Sequence, residues 1–119
     1  MDVNNIRHAI NEDLVRIAEI EIFNYRLNFY PIFQNDWFYF NELKVPNKVK
    51  EYQGCISQFF VYDDGAIKGF MQIRKQELVK LFVEPILQNK KIGSALLDYA
   101  IKELNVSSLW ALEKKYKSD

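Results

Sequence analysis

Residues 81–97 of the chain read LFVEPILQNKKIGSALL, and the order of features in this stretch decides the fold. An apolar run predicts a strand that leads into Pro85, a polar loop follows, and Gly93 opens an amphipathic helix. The first turn of a helix has backbone N–H groups without partners inside the helix, and here they would face out of the end of a sheet. Such a position binds phosphate without a large net positive charge.

Composition limits the partners that the chain can have. The 119 residues predict one domain, residues 1–119, with a charged tail at 113–119. Sixteen basic and sixteen acidic residues cancel, so we expect no nucleic acid and no membrane as partner. The chain shows no signal peptide and no apolar run near the ~18 residues of a membrane span, which favours the cytoplasm. With Cys55 as the only cysteine, we expect no disulfide within the chain and no metal site.

The start of the chain predicts a strand followed by a helix. Residues 6–9 are the strand candidate. Asn11 is a suitable N-cap, and acidic residues follow it as a helix start favours. Apolar residues then recur at helical spacing to about Asn28, and the buried side of this helix should carry Leu14, Ile17, Ala18, Ile22 and Tyr25.

An aromatic segment, residues 29–40, follows the first helix. Residues 35–36 could cap a second helical piece, and Pro46 starts a short helix to about Tyr52. The aromatic side chains could line a pocket or form a dimer contact, although core packing explains many of them.

The second half of the chain predicts a hairpin, a third strand, a helix and a last strand. Asp63-Asp64-Gly65 separates two β-rich runs within 58–73, and Glu77–Val83 follows as a strand. Asn105 ends the helix, and Ser108–Leu112 is the last strand. The buried side of the helix should carry Ile92, Leu96, Leu97, Ala100, Ile101 and Leu104.

The predicted order is β-α-α-β-β-β-α-β, an α+β fold. Antiparallel strands come first, and a right-handed β-α-β crossover then makes Ser108–Leu112 a parallel neighbour of Glu77–Val83. Taken alone, the loop before the helix has two interpretations. It is a phosphate site assisted by Lys90 and Lys91, or a plain turn in which Gly93 allows close packing.

Two stretches together resemble the GNAT superfamily of acyl-CoA-dependent N-acetyltransferases. The family has a Leu-x-Val-x-Pro strand followed by an Arg/Gln-x-x-Gly-x-Gly/Ala loop, and its chains often open with Ile-Arg-x-Ala-x-x-x-Asp. Lys91 stands where the family has its first glycine. The matching residues are Leu81, Val83, Pro85, Gln88, Gly93, Leu96 and Leu97 in the second half, and Ile6, Arg7, Ala9 and Asp13 at the start.

The resemblance implies an acetyl-CoA-dependent transfer of an acetyl group to an amine. Coenzyme A would be the co-substrate, and its pantetheine arm would pair with the backbone of Leu81, Phe82 and Val83. Glu77 is the carboxylate best placed to act as a base through water; its other interpretation is a solvated charge at a strand end. The pyrophosphate would be surrounded by Gln88, Asn89, Lys90, Lys91, Ile92, Gly93 and Ser94.

Other parts of the family pattern do not appear after the last predicted strand. We expect a GNAT-like mixed sheet that lacks the family's last helix, with its thiol-protonating tyrosine, and its closing strands. Tyr116 lies in the charged tail, and its surroundings do not favour that role. The open edge at Ser108–Leu112 predicts a homodimer, either there or through the aromatic segment. His8 and Cys55 are interpreted as structural.

Two functions are therefore in competition. The first is an N-acetyltransferase whose small-molecule or peptide amine acceptor the sequence does not identify. The second is a degenerate, non-catalytic module that binds acyl-CoA or another protein. Both predict binding of coenzyme A, and only the first predicts release of free thiol when an amine is present.

Overall fold

A computed structural model describes residues 5–28, 45–84 and 90–108 of the chain. The predictions for the aromatic segment, for the cap at 35–36 and for residues 109–119 lie outside these ranges. Within them, two short 3-10 turns at Asn11–Asp13 and Ile56–Gln58 accompany the main elements. These are β1 (Ile6–His8), α1 (Leu14–Asn28), α2 (Val45–Gln53), β2 (Phe59–Asp63), β3 (Ile67–Arg74), β4 (Glu77–Val83) and α3 (Lys90–Glu103).

The four strands form one sheet in the order β1-β2-β3-β4, and each neighbouring pair is antiparallel. The predicted hairpin at residues 63–65 is confirmed: Gly65 has a φ of 112°, and its N–H donates to Asp63 Oδ1 at 3.0 Å. Between β3 and β4, Lys75 and Gln76 have φ values of 50° and 63°. Two left-handed residues in a two-residue loop match the right-handed twist of the strands they join.

The predicted parallel crossover is confirmed at its first residue. Ser108 forms a parallel bridge with Glu77, and the Leu78 N–H donates to the Ser108 carbonyl at 2.8 Å. This contact lies on the side of β4 that faces away from β3. The chain therefore returns along α3 to the far side of β4, as a β-α-β unit requires.

The sheet carries a helical layer on each face. Strand residues that alternate along the chain divide between the faces, as the period of two in a strand requires. On one face α3 packs against a cluster that includes Phe60, Met71 and Leu78. On the other face α1 and α2 pack against Phe59, Val61 and Phe70.

Gly69 of β3 allows the close approach of α3. A Cβ at this position would lie 3.1 Å from the Phe82 carbonyl oxygen and 3.3 Å from side-chain atoms of Ile92 and Leu96. Because real Cβ contacts of this kind are rare, any larger residue at Gly69 would force α3 or β4 to move. The distance between α3 and the sheet therefore depends on this glycine.

The opening residues act as a structural clamp. Arg7 donates to Asp13 at 2.7 and 3.2 Å and to Asp63 Oδ2 at 2.9 Å, and so ties β1 to the start of the helix and to the end of β2. The predicted cap at Asn11 is wrong, because the α-helix begins only at Leu14. The Asp13 carboxylate instead accepts the Ile10 N–H at 2.9 Å from within the 3-10 turn.

Two predictions about α3 are also wrong. The helix begins at Lys90 rather than after Gly93, which lies within its first turn, and Ile101 is 44% exposed. The predicted end is confirmed: Asn105 has a φ of 53°, and the Val106 N–H donates to the Ala100 carbonyl. No helix in the described ranges is long and apolar enough to cross a membrane.

Candidate functional site

On the outer edge of β4, meaning the side that faces away from β3, no strand among the described residues pairs with Leu81 or Val83. The Glu84 N–H donates to the Lys68 carbonyl at 2.8 Å, so Glu84 and Phe82 direct their backbone groups toward β3. Because this direction alternates along an antiparallel strand, the N–H and C=O groups of Leu81 and Val83 point to the outer edge. A linear amide could pair there as an added strand does.

The first turn of α3 lies beside this edge. Ile92 is only 2% exposed and anchors the turn in the core. A Cβ at Gly93 would lie 4.0 Å from Leu81 Cδ2 and from Val83 Cγ2, so the turn rests on side chains of β4. The N-terminus of a 14-residue helix, with its positive end of the dipole, is thereby placed next to the outer edge.

The contact distance at Gly93 argues against one of its two interpretations. At 4.0 Å an added Cβ would make an ordinary van der Waals contact, so packing against β4 does not require a glycine at this position. Packing does require a glycine at Gly69. The absence of a side chain at Gly93 instead leaves room for a ligand to approach the backbone of the turn.

Helix α1 contributes a second set of contacts to β4. Asn24 is 2% exposed, and its side-chain amide donates to the Val83 carbonyl at 3.0 Å and to the Ile20 carbonyl at 2.8 Å. Arg16 donates to Glu84 at 2.6 Å, just beyond the end of the strand. The last residues of β4 are thus held in place by polar side chains of α1.

A buried charged group lies between α1, α2 and β4. We call Glu21, Lys48, Tyr52 and Lys80 the Glu21 cluster. Glu21 is fully buried; it accepts hydrogen bonds from the Tyr52 hydroxyl at 2.5 Å and from Lys80 at 2.9 Å. The Lys48 ammonium lies 3.5 Å from the same carboxylate, and Lys80 also donates to the Tyr52 hydroxyl at 2.5 Å.

The sequence profile of the acetyltransferase (GNAT) domain matches residues 40–113, which is more than half of the chain and includes β2 to α3. The chain belongs to the GNAT acetyltransferase family. No curated protein matches this GNAT chain with a significant score.

Solved structures similar to this GNAT chain include several with coenzyme A or acetyl-CoA. PaiA N-acetyltransferase from Thermoplasma acidophilum, in complex with coenzyme A, is 21% identical with a TM-score of 0.59; the match covers 85% of this chain and 73% of that one. N-acetylglutamate synthase from Neisseria gonorrhoeae, complexed with coenzyme A and N-acetylglutamate, is 20% identical with a TM-score of 0.58, over 84% and 22% of the two chains. The structure of yncA from Salmonella typhimurium with acetyl-CoA is 21% identical with a TM-score of 0.56; the match covers 84% of this chain and 62% of that one. At 20–21% identity, these similarities show that the chains share a fold.

The structure brings most of the predicted cofactor residues of the GNAT domain together. The backbone groups of Leu81 and Val83 face the outer edge of β4, whereas those of Phe82 face β3. Gln88 and Asn89 lie outside the described ranges. The remaining predicted residues form the first turns of α3, with the side chain of Ile92 buried and those of Lys91 and Ser94 exposed; the set is Lys90, Lys91, Ile92, Gly93 and Ser94.

Glu77, the predicted base, lies at the opposite end of β4 from the first turn of α3. Its side chain is partly exposed. Its backbone lies opposite that of Arg74 in the β3–β4 hairpin and forms the parallel bridge with Ser108. Its side chain forms no hydrogen bond or ion pair with other described residues. A partly exposed carboxylate without such a partner can act as a general base through a water molecule.

The sequence interpretation missed the Glu21 cluster and Asn24. A glutamate and an asparagine three residues apart on a helix ordinarily indicate a solvated face, and only the fold shows that α1 is buried on this side too. His8 is exposed and stacks on Phe60 at 4.2 Å between ring centroids. Within the described ranges, no group of three His, Cys, Asp or Glu side chains could hold a metal ion.

Proposed function

We propose that this GNAT domain transfers an acetyl group from acetyl-CoA to an amine. The observation that carries the proposal is the junction of β4 and α3, where outward-facing amides of a strand meet the N-terminus of a helix. Structural neighbours with coenzyme A bound support the choice of co-substrate. The residues fit this ligand, because a pantetheine arm contains amides and its other end carries a pyrophosphate.

Leu81 and Val83 would bind the pantetheine arm through backbone hydrogen bonds along the outer edge of β4. Asn24 already donates to the Val83 carbonyl, so the Val83 N–H and both backbone groups of Leu81 are the positions best suited to the arm. Gln88 to Ser94 would then surround the pyrophosphate. The absent side chain at Gly93 would leave room for the phosphate oxygens near the backbone of the first turn.

Bound acetyl-CoA supplies the acetyl group and a thiol as leaving group. An amine attacks only after it has lost a proton, and one proton is released to solvent for each ammonium that becomes an amide. We propose that Glu77 accepts this proton through water, because its carboxylate is partly exposed and has no ion-pair partner within the described ranges.

The test has a binding step and a turnover step. Titration with coenzyme A, followed by amide chemical shifts, should move the signals of Leu81, Val83, Ile92 and Gly93. Thiol release from acetyl-CoA is then measured with a panel of amines, for the wild type and for Glu77→Gln. We expect Glu77→Gln to lower kcat by roughly a hundredfold or more and to leave the affinity for coenzyme A unchanged.

Two outcomes would contradict the proposal in different ways. If the named amide signals do not move, the outer edge of β4 is not the cofactor site. If coenzyme A binds but no amine gives thiol release, the domain is a non-catalytic binding module. Glu12→Gln provides the matched control, since Glu12 is an exposed carboxylate that lies away from β4.

A further inference from the structure

Among the residues that the structure describes, the Glu21 cluster holds two ammonium groups and one carboxylate in a space that is mostly closed to water. Glu21 is the one acid fully inside it, and two ammonium groups approach the same carboxylate oxygen, Lys80 at 2.9 Å and Lys48 at 3.5 Å. The other described acid within 4 Å of either lysine is Glu51, which is 61% exposed and 3.9 Å from Lys48. An exposed pair at that distance compensates little charge.

The two ammonium groups are partly accessible, unlike the carboxylate that they share. The side chains of Lys48 and Lys80 are 15% and 22% exposed, while Glu21 is fully buried and Tyr52 is 1% exposed. The Tyr52 ring lies 5.0 Å from the Lys80 ammonium and 5.5 Å from that of Lys48. Lys80 meets this side chain at its hydroxyl, to which it donates at 2.5 Å, and Lys48 lies within cation-π distance of the ring. An unbalanced charge in such a position is costly unless an anion joins it.

The cluster is close to the outer edge of β4. Lys80 directly precedes Leu81, and Glu21 is three residues before Asn24, which holds the Val83 carbonyl. Residues three apart on a helix are separated by about 5–6 Å between their Cβ atoms. Helix α3 covers one face of the sheet, and α1 and α2 cover the other, so an acceptor would reach the partly exposed Lys80 from the outer edge of β4.

We propose that Lys48 and Lys80 bind the carboxylate of the acceptor, so that the acceptors are small amines that also carry a carboxylate, such as amino acids. The inference rests on the proposed function for the role of this ligand as acceptor. A carboxylate bound at the two ammonium groups compensates the positive charge that Glu21 alone does not. Because the cluster is close to the outer edge of β4, this site suits an acceptor whose amine is a few bonds from its carboxylate. Both lysines are specificity residues in this arrangement, and Glu21 and Tyr52 position them.

The experiment compares acceptors that differ in the carboxylate alone. Glutamate, alanine and β-alanine are each paired with the matching carboxamide, and both binding and thiol release are measured in the wild type, in Lys48→Gln and in Lys50→Gln. Lys50 is an exposed lysine of α2 and serves as the matched control. Binding is followed by the amide shifts of residues 48–52 and 78–81 in protein saturated with coenzyme A.

We expect at least one amino acid to bind more tightly than its carboxamide. Lys48→Gln should raise the KM of that acceptor by roughly tenfold or more, with no change for the carboxamide, because a charge-assisted contact is lost. Lys50→Gln should behave as the wild type. Equal binding of acid and carboxamide, or a KM ratio that Lys48→Gln leaves unchanged, would overturn the inference.

The two proposals fail separately. If an amino acid binds in a Lys48-dependent manner but no acceptor releases thiol, the carboxylate site stands and the transferase activity is refuted. If thiol is released equally from acids and carboxamides, the transferase activity stands and the carboxylate site is refuted.

Discussion

The substitution Gly69→Ala tests whether the spacing between α3 and the sheet depends on one missing side chain. The added Cβ would lie 3.1 Å from the Phe82 carbonyl oxygen, and 3.3 Å from Ile92 Cγ2 and Leu96 Cδ1. The nearest of these atoms belongs to the backbone of β4, so it cannot rotate away as a side-chain atom can. Overpacking of this kind costs about 1–3 kcal/mol, against which alanine recovers about 0.5–1 kcal/mol of chain entropy.

We therefore expect Gly69→Ala to lower the free energy of unfolding by about 1–2 kcal/mol. In a domain of this size the midpoint of thermal unfolding should fall by roughly 3–10 °C, which circular dichroism measures directly. Because Ile92 belongs to the first turn of α3, displacement of this turn should also weaken the binding of coenzyme A.

Gly93→Ala is the matched control. Its Cβ would meet Leu81 and Val83 at 4.0 Å, and alanine is favoured over glycine in a helix by up to about 1 kcal/mol. This variant should unfold at the wild-type temperature or above. A Gly69→Ala protein as stable as Gly93→Ala would refute the argument from contact distances.

Three further variants test the phosphate site, the buried carboxylate and the clamp at the chain start. Gly93→Glu should weaken the binding of coenzyme A at least tenfold by calorimetry, because it adds bulk and negative charge beside the phosphates; wild-type affinity would show that the phosphates bind elsewhere. Glu21→Gln removes the fully buried counter-charge of two ammonium groups that are only partly exposed, and should cost about 3–5 kcal/mol in urea unfolding, whereas exposed Glu19→Gln should cost less than about 0.5 kcal/mol. Hydrogen bonds from Arg7 hold the pKa of Asp63 below its usual value, so the carboxylate stabilises the fold above about pH 4 and this contribution is lost as the pH falls further. The stability difference between the wild type and Asp63→Asn should therefore be present at pH 7 and shrink toward pH 3; a difference independent of pH would contradict the assignment.

The strands and the junction of β4 with α3 were predictable because they depend on local patterns. Asp63-Asp64-Gly65 forms a tight turn by itself, and the apolar run at Glu77–Val83 leads into Pro85 whatever the rest of the chain does. The resemblance then connected Leu81, Val83 and Gly93 in one site.

The Glu21 cluster was not predictable from local patterns. Glu21 and Lys80 are 59 residues apart in the chain, and neither has neighbours that mark it as buried. A sequence shows that a residue is charged, but its burial depends on which helix covers which strand. The start of α3 was misplaced for a related reason, since Gly93 weakens a helix locally while the buried side chain of Ile92 holds its first turn on the sheet.

The three polar contacts between α1 and β4 have a consequence for the order of folding. Arg16–Glu84, Asn24–Val83 and Glu21–Lys80 each close a loop of 59 to 68 residues, whereas the hairpins of the sheet join neighbours in the chain. Contacts across such separations cost more chain entropy than those of a hairpin, which delays their formation. The meander of β2, β3 and β4 can thus form early, and the contacts at the end of β4 are completed only when the N-terminal helix docks. Hydrogen exchange during refolding should accordingly protect the amides of β3 before the Asn24 side chain reaches Val83.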